Sequence, residues 1–224
     1  MIEIGHISHP GNKRTLNEDS YNIDLPNRIA ILVDGMGGAD AGDIASAFVR
    51  EQLHKNILQG LDPISALKNA GQALRIQRPQ QGMNPSGASA LVLVWNANTY
   101  QIAWIGACRA FFFNGQHTQS LSSSSAEPTD QKNSGLGLSL SSIQALGVTA
   151  TEKLHIQHVS GVWLKQQAIL LCSDGLLDEC KTDLMHELLA NKKLSAQEAV
   201  EQMLVHALQG LADNNVTAVL LRSS

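Results

Sequence analysis

The 224-residue sequence is short of charge, of cysteine and of long apolar runs. Only 16% of its residues are charged, the net charge is −4 and the pI about 6.0, and Lys and Arg form no block. Nucleic acid and anionic membrane surfaces recruit chains through clustered basic residues, so neither is an expected partner. No apolar run approaches the ~18 residues that a membrane helix needs. The opening Met1-Ile2-Glu3-Ile4-Gly5 has neither a charged region nor a long apolar one, so export by a signal peptide is not expected. Cys108, Cys172 and Cys180 are odd in number and form no CxxC pair. That argues against a disulfide framework or a structural zinc site, and for a reducing, cytoplasmic setting. What the sequence does have is apolar bulk. Hydrophobic residues make up 43%, enough for a sizeable core, and no repeat or linker divides the chain, so one domain over residues 1–224 is expected.

One stretch organises the rest. Ile29 to Val33 is an apolar run that ends abruptly in Asp34, and Gly35, Gly37 and Gly38 follow at once. It reads as a buried strand that delivers a carboxylate to the edge of a core and then turns, with glycines that let the backbone approach a ligand closely. A strand-turn-helix junction capped by Asp34 fits the same residues. Around it, alternation predicts strands at Ile2 to Ile7 and Tyr21 to Asp24, and helical spacing predicts helices from about Ala41 to Leu58 and after Asp62-Pro63. Gln77 to Ser86 reads as a loop. Gly87 to Trp95, Thr99 to Ile105, Cys108 to Phe113 and Gln116 to Leu121 read as an antiparallel meander, its last turn at Asn114-Gly115. Ser122 to Ser142 is polar, Ser-rich and reads as a mobile loop. Strands are expected again at Leu154 to Val159, Gln167 to Cys172 and Val216 to Leu221. Helices are expected near Thr182 to Ala190 and Ser195 to Leu208, the second with a capping box from Ser195 to Glu198.

Acids gather at strand ends. Asp34 and Asp174 follow strands, Asp213 precedes the last one, and Glu18 and Asp19 lie close to Arg14. Taken singly, each could cap a turn or a helix. Taken together they form a plausible ring of carboxylates, which would repel one another unless a cation held them. Hard divalent ions such as Mg2+ and Mn2+ take oxygen ligands of this kind. Two such ions roughly 3.5–4 Å apart can acidify a shared water and clamp a phosphoryl group.

Six segments then carry a resemblance. Arg14-x-x-Asn17-Glu18-Asp19-Ser20, Val33-Asp34-Gly35-Met36-Gly37-Gly38, Ser86-Gly87-Ala88-Ser89-Ala90, Leu146-Gly147, Ser173-Asp174-Gly175-Leu176 and Asp213-Asn214-x-Val216-Thr217 fall in one order along the chain. In that order they resemble the PPM (PP2C-like) metal-dependent Ser/Thr protein phosphatases of the small bacterial stand-alone type. The resemblance implies an α+β fold, a four-layer α-β-β-α sandwich of two mainly antiparallel sheets. It implies that Asp34 bridges two Mn2+ or Mg2+ ions, that Gly35 lends its carbonyl, that Asp174 and Asp213 complete one shell, and that Glu18 and Asp19 serve the other. Arg14 would grip the phosphate through its bidentate fork, and a metal-bridging hydroxide would attack phosphorus. The implied function is dephosphorylation of phosphoserine and phosphothreonine in protein substrates, opposing a cognate Ser/Thr kinase in bacterial signalling, by a monomer.

The sequence departs from the family at Ile105-Gly106-Ala107-Cys108-Arg109, where an acid usual in the family is replaced by Ala107. A third, weaker metal site is therefore expected to be lost. A pseudophosphatase that binds phosphoproteins without turnover is the alternative that Ala107 supports, opposed by the surviving acids and Arg14. Met36 stands where many eukaryotic relatives carry a histidine, which fits a bacterial type. Cys108 reads as a packed core residue more readily than as a redox switch.

Overall fold

Ile29–Met36 forms strand β3, and none of Ile29 to Val33 is more than 1% exposed. A continuous apolar run of this kind needs cover on both faces of its sheet. Alternation supplies it: Ile29, Ile31 and Val33 pack beneath helices, while Ala30 and Leu32 face a second sheet. The structure, a computed structural model, describes residues 2–37, 41–80, 86–122 and 144–223.

The first sheet runs in the order β2 (Asp19–Asp24), β3, β4 (Gly87–Trp95), β5 (Thr99–Ile105), β8 (Gln157–Val162). The second runs β1 (Ile2–His9), β10 (Val216–Ser223), β9 (Ala168–Cys172), β6 (Arg109–Phe113), β7 (Thr118–Ser120). Every neighbouring pair is antiparallel. Helices α1 (Gly42–Leu58) and α2 (Pro63–Gln80) lie on the first sheet, with Val49, Leu53 and Leu67 against Ile31 and Val92. Helices α3 (Asp174–Glu179), α4 (Thr182–Ala190) and α5 (Ala196–Gln209) cover the second, with Met185, Val200 and Met203 packed in one core with Leu170 and Leu220. Between the sheets, Leu32 and Leu93 share a core with Ile169 and Val219. The result is the expected α-β-β-α sandwich. Among the described residues no helix is long and apolar enough to cross a membrane.

Four local expectations change. The meander is split between sheets: β4 and β5 pair in the first, while β6 pairs with β9 and β7 in the second. The chain crosses between them at Gly106, whose φ of +87° suits glycine and whose Cβ position is filled by Ser89. Helix α2 continues to Gln80, into the expected loop. The strand expected from Leu154 begins only at Gln157, after a 3-10 turn at Thr151–Lys153, because Leu154 is buried beneath α2 rather than paired in a sheet. Helix α3 was not expected at all: six residues are too few for helical periodicity to show. The capping box on α5 is present, Ser195 accepting from the Glu198 N–H. The loop expected from Ser122 to Ser142 falls almost wholly outside the described residues, as does Gly38.

Candidate active site

Strand register brings the first acids together. Asp19 opens β2 directly opposite Asp34 near the end of β3, and Asp34 is paired on its other side with Ser89 of β4. Gly35 follows, its N–H donating to the Glu18 carbonyl at 3.1 Å. A Cβ at Gly35 would collide with the carbonyl of Gly42, and one at Gly42 would strike the Glu18 carboxylate. These two glycines let the start of α1 close over the end of β3. The Glu18 carboxylate accepts from the Gly42 N–H there. From the other sheet, β9 ends at Cys172, and Asp174 opens α3 two residues later, accepting from the Gly175 N–H.

These side chains line one cavity of about 330 Å3 at the end of the sandwich, with Arg14, the Gly35 backbone, Ala107 and Asn214. Burial pushes Asp34 well above the usual carboxylate range, and the charges of Asp19, Asp174 and Glu18 push it further against the pull of Arg14. Asp19 is raised to about 6, first by burial and then by Asp174 and Glu18, with the Thr217 and Ser173 hydroxyls opposing. Asp174 is raised by burial and by Asp178, and is drawn back by the Gly175 N–H, Arg109 and Arg14. Glu18 is raised by burial first, with Arg14 lowering it and Asp43 raising it. Without a cation, the cavity is a site of strong like-charge repulsion.

The donor set fits an oxygen-preferring divalent ion. The Asp19 Oδ2 atom is buried and has no hydrogen-bond partner among the described residues, the condition that a bound cation relieves. Among the described residues no group of three or more His, Cys, Asp or Glu side chains closes into a ready metal cage. Mg2+ does not require one, since it keeps several waters and is held by one or two carboxylates plus a substrate phosphate.

Of the residues expected from the sequence, Arg14, Glu18, Asp19, Asp34, Gly35 and Asp174 all line the cavity; Asp213 does not. Its carboxylate pairs with Lys13 Nζ at 2.7 Å, on a side chain that is 48% exposed. The next residue, Asn214, takes the cavity position, and Asn215 beside it ties the Arg14 loop down. An Asp-Asn-Asn run gives no sequence signal for which residue faces inward, because the segment precedes the strand and has no alternation to fix its phase. Arg109 was also missed as a charge felt by Asp174.

No protein-family model matches the chain. A curated Mycoplasma genitalium protein described as a "Putative protein phosphatase" is 26% identical over 96% of this chain and 93% of its own length. The Mycobacterium tuberculosis serine/threonine phosphatase PstP superposes with a TM-score of 0.83 at 21% identity, covering 100% of this chain and 99% of that one. The catalytic domain of PstP in complex with two manganese ions gives a TM-score of 0.81 at 22% identity over 99% and 97% of the two chains. The chain therefore has the PP2C-like fold from end to end, and the resemblance to the PPM phosphatases that its motifs carry is matched by its architecture.

Proposed function

We propose that the chain is a metal-dependent protein phosphatase that hydrolyses phosphoserine and phosphothreonine, opposing a Ser/Thr kinase as a cytoplasmic monomer. The observation that carries this reading is the meeting of Glu18, Asp19, Asp34 and Asp174 with Arg14 in one cavity. Four carboxylates against one guanidinium leave a formal charge of −3, which would repel a phosphate dianion. Two divalent ions turn that to +1, so cation loading and phosphate binding belong together here.

Asp34, Asp174, Asp19 and the Gly35 carbonyl would hold the ions, with Glu18 at the rim. When bound, such ions supply Lewis acidity and lower the pKa of coordinated water. The chain's own part is positional. Arg14 would present a planar fork to the phosphate oxygens, and the opposed pair Asp19 and Asp34 lines the same cavity. Met36 lines the cavity without a titratable group, which leaves protonation of the departing serine or threonine oxygen to water.

The test is Mn2+-dependent hydrolysis of an aryl phosphate and a phosphothreonine peptide, with Asp34→Asn as the blank. Metal-dependent turnover that vanishes in the blank is the expected result. Tight Mn2+ binding with no turnover would overturn the enzyme and favour a phosphoprotein-binding module. Faster turnover of sugar phosphates than of phosphopeptides would reassign the substrate class.

A further inference from the structure

The loop that carries Arg14 has no regular secondary structure between β1 and β2. It is held instead by a second irregular segment, the approach to β10, in residue-by-residue pairing. The Asn12 N–H donates to the Ala212 carbonyl at 2.8 Å, Lys13 pairs with Asp213 at 2.7 Å, and Arg14 Nη2 donates to Asn214 Oδ1 at 3.0 Å. Asn215 completes the strip, accepting from the Glu18 N–H at 2.8 Å and donating to the Pro10 and Leu16 carbonyls at 3.0 and 2.9 Å. Gly11, with φ +81°, lets the two backbones meet, since a Cβ there would collide with the Asn214 carbonyl.

We infer that Asn214 is a positioning residue for Arg14, setting the guanidinium to receive phosphate rather than serving as a ligand to the ions. The inference rests on the reading of Arg14 as the phosphate-binding group. Its basis is the pair of contacts the amide makes. Asn214 Oδ1 takes one Arg14 N–H, and Asn214 Nδ2 points to Asp178 Oδ2 at 3.5 Å. That second contact orients the amide with its oxygen toward Arg14. A guanidinium has five N–H donors, so one anchored hydrogen leaves the rest of the fork for a ligand. The amide's neutrality matters as much as its shape. A carboxylate at this position would form an ion pair with Arg14 and compete with phosphate for it. The acid next to it, Asp213, lies outside the cavity and pairs with Lys13.

The experiment uses inorganic phosphate as the probe on Mn2+-loaded protein. Binding is read by 31P line broadening and, separately, as competitive inhibition of phosphopeptide hydrolysis; Mn2+ affinity is read by electron paramagnetic resonance. Asn214→Ala should weaken phosphate about tenfold, the order expected for one lost hydrogen bond, and raise KM with kcat within about twofold and Mn2+ affinity unchanged. In an Arg14→Ala background, Asn214→Ala should add nothing, because it acts through the lost guanidinium. Asn214→Asp, which keeps the shape and guards against a folding defect, should also weaken phosphate. A change in Mn2+ affinity with phosphate binding intact would overturn the inference and make Asn214 part of the metal shell. So would additive effects of the two alanine variants. If Arg14→Ala itself leaves phosphate binding unchanged, the reading of Arg14 fails and the inference falls with it. If phosphate binding follows the expected pattern while phosphopeptides are not turned over, the enzyme reading fails and the inference stands.

Discussion

Asp19 and Asp34 are direct cross-strand partners at one end of the β2–β3 pair. Residues so placed project from the same face with Cβ atoms about 5 Å apart, and like charges there are destabilising. The chain thus places two carboxylates where a folded protein without a cation would be strained by them.

Without metal, the burial of these carboxylates should appear as a pH dependence of stability. The folded state holds the Asp19 proton more tightly than the unfolded chain does, with the pKa raised from 3.8 to about 6, mainly by burial. Its contribution to stability is then full below about 3.8 and is lost as pH rises through about 6. The shift corresponds to on the order of 3 kcal/mol. In EDTA, the melting temperature should therefore fall between pH 5 and pH 7.5. Asp34→Asn, which removes the carboxyl that burial and the charges of Asp19, Asp174 and Glu18 push well above the usual range, should flatten the fall and melt higher at pH 7.5, and Mg2+ should stabilise the parent more than the variant. Calorimetry across that range decides it. Equal slopes for the two proteins would refute the account.

Asn215 holds the Arg14 loop through three hydrogen bonds, to the Glu18 N–H and to the Pro10 and Leu16 carbonyls. Asn215→Ala leaves those backbone groups to find water, at about 1 kcal/mol each. The expected loss is about 3 kcal/mol in urea unfolding, with faster amide exchange at Glu18. Protection at Glu18 equal to the parent's would show that the loop is held by other means.

The strand that delivers Asp34 was legible because a run buried on both faces is apolar throughout and its end is marked by an acid and glycines. The three-residue strand β7 was legible mainly through its turn, where Asn114 Oδ1 accepts from the Gln116 and His117 N–H groups. What the sequence concealed were matters of partner and phase. Nothing local shows that β1 pairs with β10, Ile2 facing Ser223, or that the chain changes sheets at Gly106. The same limit explains Asp213. Its place before the last strand and the motif it resembles pointed to the acid, whereas in the structure Asp213 pairs with Lys13 and its neutral neighbour lines the cavity.

Cys108, Cys172 and Cys180 are each no more than 1% exposed and lie in apolar cores. Burial pushes the Cys108 and Cys172 thiols far up, and raises Cys180 to about 11, with Glu179 adding to it. Thiolates are the reactive species, so the native protein should not react with a thiol-specific reagent at pH 8, and all three cysteines should react after denaturation. Mild peroxide should leave activity unchanged. Rapid labelling of Cys108 in the native state would reopen its reading as a redox switch.

Ala107 lines the cavity at the crossing between sheets, its N–H held by Ser89 Oγ at 3.0 Å. The backbone there is fixed by Gly106 and Ser89, so Ala107→Asp should add a carboxylate with little change of fold. The new acid would join a cavity already crowded by Asp34 and Asp174, and without metal it should lower the melting temperature at pH 7.5 through added repulsion. With metal, the same charge becomes a ligand. One further Mn2+ ion should bind, more weakly than the first two, as counted by paramagnetic resonance, and the Mn2+ dependence of hydrolysis should acquire a second phase at higher concentration. Both effects have one cause, a carboxylate close enough to the others to repel them bare and to share a cation when loaded. A variant that melts like the parent in EDTA and binds the same number of ions would place residue 107 too far from Asp174 to act with it, and a third metal site would then have no bearing on this protein.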